Sequence, residues 1–167
     1  MGILNVTPDS FSDGGQYFSA DKALTQGLRL VREGAAILDV GGESTRPGSE
    51  PVSVGEEVRR VLPVVEELAG AVGVPLSVDT VKAEVARRTL AAGARMINDV
   101  SALRADTAMV EVVAEYGCPV CLMHMRGQPK TMQDDPVYDD VVDDVLTFLE
   151  ERMSYAIAHG VREDQIL

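Results

Sequence analysis

The chain has 167 residues, 46% of them hydrophobic, which is enough for one domain with a substantial core. Its net charge of -12 repels a phosphate backbone, and with no Trp and 4% aromatics it lacks the stacking platforms of single-strand nucleic-acid binders. No apolar run approaches a membrane span and the N-terminus has no secretion-signal pattern, so neither nucleic acid nor membrane is an expected partner and the cytoplasm is the default compartment.

One grammar recurs along the chain. A helix-like segment ends in Gly, a short apolar run follows, and that run ends in a polar residue. Gly2-Ile3-Leu4-Asn5 opens the chain as a first strand. Asp21 to Glu33 carries apolar residues at helical spacing and ends at Gly34, before Ala36-Ile37-Leu38 runs into Asp39. Val54 to Val72 ends at Gly73 and leads through Pro75-Leu76-Ser77-Val78 to Asp79. A third helix over Val81 to Ala92 precedes Met96-Ile97-Asn98-Asp99, and a fourth over Asp106 to Tyr116 precedes Val120-Cys121-Leu122-Met123-His124. A fifth helix over Tyr138 to His159 ends at Gly160, and Ile166-Leu167 begin a sixth strand. Gly after a helix fits its tolerance of left-handed backbone angles.

Continuous apolar strands alternating with amphipathic helices indicate an α/β fold with a parallel sheet buried on both faces. Both an open doubly wound sheet and a (β/α)8 TIM barrel satisfy that pattern. Polar residues end every strand (Asn5, Asp39, Asp79, Asn98 and His124), and in a barrel all such ends converge on one mouth. No G-x-G-x-x-G or G-x-x-x-x-G-K-[ST] follows the first strand. The barrel is favoured, as a single domain over 1–167 with about five βα units and the start of strand 6. A complete barrel needs roughly 250 residues. The chain is therefore expected to stop before its fold is complete, and on its own to fold poorly, to associate through open edges, or to be one part of a larger polypeptide.

Two connections are longer than usual. The loop Thr7 to Gly15 mixes flexible glycines, the carboxylates Asp9 and Asp13, and one aromatic, Phe11, which suits a lid over a ligand. The loop Gly41 to Gly48 combines close backbone approach with the donors Thr45 and Arg46, which suits an oxyanion. Asp79 and Asn98 end neighbouring strands, where a carboxylate beside an amide can hold an amino-substituted heterocycle. Asn5 can offer an amide oxygen to a hard cation such as magnesium. His124 either touches a ligand or packs beside Met123 and Arg126, and His159 reads as a surface cap at a helix C-terminus. Cys118 and Cys121 spell C-P-V-C, but residues three apart on a strand diverge and no second pair completes a zinc site, so both read as structural thiols.

The segments N-V-T-P-D-S-F-S-D-G-G at 5–15 and G-G-E-S-T-R-P-G at 41–48 resemble the two signature stretches of the dihydropteroate synthase family. S-V-D-T at 77–80, I-N-D-V at 97–100 and L-M-H-M-R-G at 122–127 follow in the family's order, so the resemblance covers the whole chain. It implies a (β/α)8 pterin-binding barrel of folate biosynthesis, a transferase joining p-aminobenzoate to 6-hydroxymethyl-7,8-dihydropterin diphosphate with release of pyrophosphate. It implies magnesium held with Asn5, a pterin held by Asp79 and Asn98 against Met123, and Thr45 and Arg46 beside the diphosphate and aminobenzoate. Phe11 and Asp13 are implied to close over the reacting pair. A homodimer of the complete enzyme and competition by sulfonamides are implied as well.

By the same resemblance, an Asp-Pro-Gly-rich stretch after strand 6, a later Lys, and an Arg and a His after strand 8 are expected beyond Leu167. The 167 residues alone are accordingly expected to be inactive. The alternatives are a pterin-binding methyltransferase domain, which is not expected to carry the S-F-S-D-G-G and S-T-R-P-G loops, and a pterin-binding module without turnover.

Overall fold

A computed structural model describes residues 1–7, 16–44, 50–127 and 136–167 of the chain. Each apolar run of the sequence becomes a strand and each amphipathic segment a helix. The order is β1 (Gly2–Asn5), α1 (Gln16–Arg32), β2 (Leu38–Gly41), α2 (Val54–Ala71), β3 (Leu76–Asp79), α3 (Ala83–Ala91), β4 (Met96–Asp99), α4 (Met109–Tyr116), β5 (Val120–Leu122) and α5 (Val141–Ala158), then a 3-10 turn over Glu163–Gln165.

The strands form one parallel sheet in the order β1-β2-β3-β4-β5. Ile166 then bridges in parallel to Val120, and the Leu167 N–H donates to the Val120 carbonyl at 2.9 Å, so a sixth strand begins where the sequence places it. This order separates the two candidate architectures. A doubly wound sheet reverses its strand order at a switch point, whereas here every new strand joins the same edge. Unidirectional winding with a helix after each strand is an arc of a (β/α)8 barrel.

The core lies between the sheet and its helices. Leu4, Leu38, Val40, Leu76, Val78, Ile97 and Val120 leave the outer face of the sheet and meet Val61, Val64, Val65, Leu68, Ala86, Val110 and Val113 of the helices. Each fully buried Val or Leu contributes roughly 1.5–3 kcal/mol.

Helix boundaries follow local caps. Ser53 accepts from the Glu56 N–H at 3.2 Å and opens α2. Asp140 accepts from Val142 and Asp143, so α5 begins at Val141 and not at Tyr138 as the periodicity suggests. Asp106 turns the chain ahead of α4 and its Oδ2 accepts from Ala83 N–H at 2.9 Å, joining the starts of α3 and α4. The largest shift falls on the start of α1, at Gln16 and not at Asp21. β2 is displaced as well. It runs over Leu38–Gly41 and not over Ala36–Leu38, so Asp39 lies within the strand and not at its end.

Candidate functional site

Alternation along the strands sends every second residue to the face away from the helices. Register aligns these residues into rows. One row, nearer the strand starts, is Ile3, Asp39, Ser77 and Met96; the next is Asn5, Gly41, Asp79, Asn98 and Cys121. The inner face is thus apolar only at its margins and polar at its centre. Such a pattern has no place in a dry core, because burying an unpaired hydroxyl or carboxylate oxygen costs about 1–3 kcal/mol.

Asp39 is 5% exposed and Ser77 fully buried. Among the described residues Asp39 Oδ1, Ser77 Oγ and Asp79 Oδ1 are buried without a hydrogen-bond partner. The other oxygen of Asp39 accepts from Asn98 Nδ2 at 3.0 Å, which orients both side chains across the sheet. Gly41 lies between Asn5 and Asp79. A Cβ there would stand 3.5 Å from Asp79 Oδ2 and 3.7 Å from Asn5 Oδ1, so the glycine keeps the surface over these groups open. Burial first, and then the carboxylate of Asp39, push the Asp79 carboxyl up to about 7. These three polar atoms lie on two adjacent strands, where the carboxylates can accept and the Ser77 hydroxyl can both donate and accept.

The wall of this cleft toward β2 is held by charge. Lys82 donates to both Glu43 and Glu57, and Thr80 Oγ1 donates to the second oxygen of Glu57 at 2.6 Å. Burial alone would lower the Lys82 pKa, but the hydrogen bonds to Glu43 and Glu57 outweigh it and hold it above the usual lysine value. Arg60 Nη1 donates to the Gly42 carbonyl at 2.9 Å.

The sequence-derived candidates divide into three groups. Asn5, Asp79 and Asn98 come together in one row of the inner face. Met123 follows β5 and is 39% exposed, two residues beyond Cys121 and so on the same face by alternation. Phe11, Asp13, Thr45 and Arg46 lie outside the described residues. His124 stacks edge-on against Phe148 of α5, with ring centroids 4.9 Å apart, and so serves packing. His159 Nδ1 lies 2.7 Å from the Tyr155 carbonyl, the capping role expected of it. Cys118 and Cys121 are free, and burial pushes the Cys118 thiol up to about 11, so neither is a poised nucleophile.

Asp39, expected at a strand end, lies within β2, and beside it stands Ser77, to which the sequence assigned no role. The signal for Asp39 was present: Leu38-Asp39-Val40-Gly41 alternates apolar with polar or small residues, a period of two that reads on through Asp39.

As to a cation, no group of three or more His, Cys, Asp or Glu side chains able to hold a metal exists among the described residues. Asn5 presents a single neutral oxygen at the end of β1, next to Asp79. One neutral oxygen is compatible with magnesium, since this ion keeps several waters and takes few protein ligands.

Carboxylates and an amide thus share the inner face of an arc of a parallel α/β barrel. The chain belongs to the pterin binding enzyme family, whose model matches residues 1–167. It is 48% identical over 167 residues to the dihydropteroate synthase of Haemophilus influenzae, covering 100% of this chain and 60% of that relative. Its fold matches dihydropteroate synthase of Xanthomonas albilineans solved with 4-aminobenzoic acid, with TM-score 0.91 and 53% identity over 99% of this chain and 58% of that one. It likewise matches the Yersinia pestis enzyme solved with a sulfonamide drug complex, with TM-score 0.92 and 49% identity over 99% of this chain and 60% of that one. The chain therefore spans about 60% of the length of the curated relatives it matches.

Proposed function

We propose that this chain carries the pterin pocket and the two reaction loops of a dihydropteroate synthase. The observation that carries the reading is the set of buried, unpartnered atoms of Asp39, Ser77 and Asp79, which line the inner face beside Asn98. A pterin presents a ring N–H and a 2-amino group on one edge. A carboxylate accepts both, and the pairing offsets the desolvation cost of burying these oxygens. In this reading Asp79 takes that edge, Asp39 is aimed by Asn98 at a neighbouring donor, and Met123 lies against the ring face.

The chemistry is a displacement at the methylene carbon of the dihydropterin. The p-aminobenzoate nitrogen forms a bond to that carbon, the carbon–oxygen bond to diphosphate breaks, and pyrophosphate leaves with the bonding pair while the amine loses a proton. No protein nucleophile is required, so the residues act by positioning and by charge. Thr45 and Arg46 donate to anionic groups at the mouth, and Phe11 and Asp13 close the first loop over the reacting pair. Magnesium, held with Asn5 as its protein ligand, would supply neutralisation of diphosphate charge. The two free thiols support a reducing, cytoplasmic setting. For the complete enzyme we propose a homodimer, which light scattering tests directly. The 167 residues belong to one barrel domain in this reading, of which they form an incomplete part.

The test is pyrophosphate release from dihydropterin diphosphate, p-aminobenzoate and magnesium. It is run on this chain and on this chain joined to the part of a curated relative that lies beyond the match. Turnover in the joined protein supports the synthase reading. Pterin binding without turnover in either protein makes the chain a binding module, and methyl transfer from a methylated folate makes it a methyltransferase domain. Absence of pterin binding in both sinks the reading.

A further inference from the structure

Met123 stands just beyond the end of β5, where the strand ladder loosens. The Leu122 N–H donates to the Leu167 carbonyl at 2.9 Å, but the Met123 N–H reaches the Asp99 carbonyl only at 3.5 Å. Two residues on, the Met125 carbonyl accepts from Arg104 Nη2 at 2.9 Å, and Met125 itself is buried. Arg104 comes from the turn after β4, the strand that ends in Asn98 and Asp99. Its Nε donates to the Ser101 carbonyl at 3.1 Å and its backbone N–H to Ser101 Oγ at 3.2 Å. Ser101 in turn donates its backbone N–H and its hydroxyl to Asp99 Oδ1, at 2.8 and 2.7 Å.

A chain of short contacts thus runs from Asn98 to the Met123 segment through Asp99, Ser101 and Arg104. The turn that carries it is held from a second side. Ala102 and Leu103 take left-handed angles and are buried, and Arg152 of α5 donates to both of their carbonyls. Such angles in residues with a Cβ persist only where the surrounding contacts impose them. The Arg104 guanidinium also lies 4.8 Å from the centre of the Phe148 ring, and Phe148 stands edge-on to His124. Arg104, Met125, His124 and Phe148 therefore close a ring of contacts joining the β4 turn, the end of β5 and α5. Arg104 itself is exposed, so this ring supplies direction more than stability.

We propose that Arg104 is a positioning residue: by tying the Met125 carbonyl to the turn after Asn98, it sets where Met123 stands over the Asp79–Asn98 row. That the ligand beneath Met123 is a pterin rests on the proposed function, whereas the aiming of Met123 does not. The consequence is a fixed spacing between a thioether that covers a flat ring's face and the amide and carboxylate that read its edge.

Arg104→Leu keeps an apolar stem against Phe148 and removes both donors; Arg104→Lys returns one of them. Methionine-methyl NMR on the 167-residue chain reads the outcome, with the Met123 signal assigned by its loss in Met123→Leu. That signal should shift in Arg104→Leu and return at least halfway in Arg104→Lys, while the signals of buried Met96 and Met109 stay in place. An unmoved Met123 signal overturns the proposal. Equal movement of all three signals in both variants reduces Arg104 to a general structural contact and overturns it as well.

The functional arm measures binding of 6-hydroxymethyl-7,8-dihydropterin to the chain joined to the remainder of a curated relative. Arg104→Leu should weaken it about tenfold, and Arg104→Lys by no more than about threefold. Equal affinity in Arg104→Leu, with Met123 displaced, overturns the role in ligand binding. A joined protein with Arg104 intact that binds no pterin sinks the proposed function, and the methyl signal then decides the aiming of Met123 by itself.

Discussion

Asp79 serves two opposed demands. Its folded-state pKa near 7 exceeds the ordinary value of 3.8, so the folded form holds its proton more tightly than the unfolded chain does. Stability therefore falls as pH rises between about 4 and about 7, and the penalty is fully present above 7. Asp79→Asn removes the ionisable group while keeping its shape. Its Tm relative to the original chain should be higher at pH 8 than at pH 5, by several degrees, as calorimetry at the two values would show. An identical difference at both would mean that Asp79 does not resist ionisation. Under the proposed function a pterin imposes the reverse preference, because accepting two N–H groups requires the carboxylate. Pterin affinity should weaken by up to about tenfold for each pH unit below 7, and Asp79→Asn should abolish it. Titration calorimetry across pH 5.5 to 8, a span of about 2.5 units chosen around that pKa, checks both. Flat affinity would remove Asp79 from the pterin edge.

At the scale of elements, Gly42 and the turn after β4 are sites where the backbone is locally constrained. Gly42→Ala sets a methyl against Val61 and Glu57, and should cost roughly 1–3 kcal/mol in a urea melt. A loss below half a kcal/mol, a value of about 0.5 that surface substitutions give, would show that α2 yields there. After β4 the chain takes left-handed angles at Ala102 (φ 52) and Leu103 (φ 63), which is unfavourable for residues with a Cβ. Asp99 holds that turn by accepting from Ser101 and Leu103 N–H groups, and Arg152 of α5 donates to the Ala102 carbonyl at 2.8 Å. Arg152→Met leaves those carbonyls buried and should lose about 1–3 kcal/mol, read by the same melt. Helix existence and order were legible because apolar spacing repeats over many residues. The start of α5 was not, since Tyr138 continues the apolar pattern and only the Asp140 cap ends it.

The whole molecule is an arc. β1 pairs on one side only among the described strands, and Ile3 on its inner face is 66% exposed. Val141, Val142, Leu146 and Ile157 are exposed along α5. Unpaired parallel edges and uncovered apolar side chains favour association. The 167-residue chain should sediment with an apparent mass that rises with concentration, and Ile3→Lys, which charges the β1 edge without touching the outer core, should reduce that rise. A concentration-independent monomer would show that the arc tolerates its open edges.

The sequence by itself determined the repeating strand–helix order, the glycine stops, and the strand-end positions of Asn5, Asp79 and Asn98, because each depends on local periodicity and backbone preference. Its five strands emerged as expected, with the register of β2 displaced toward Gly41. Only the tertiary structure decided that winding is unidirectional, that Asp39 lies within β2 and accepts from Asn98, and that Glu43, Glu57, Thr80 and Lys82 converge. These facts depend on which strands lie side by side and in what register. Residues 39 and 98 meet through pairing across two strand boundaries, and no local pattern in a single chain encodes that distance.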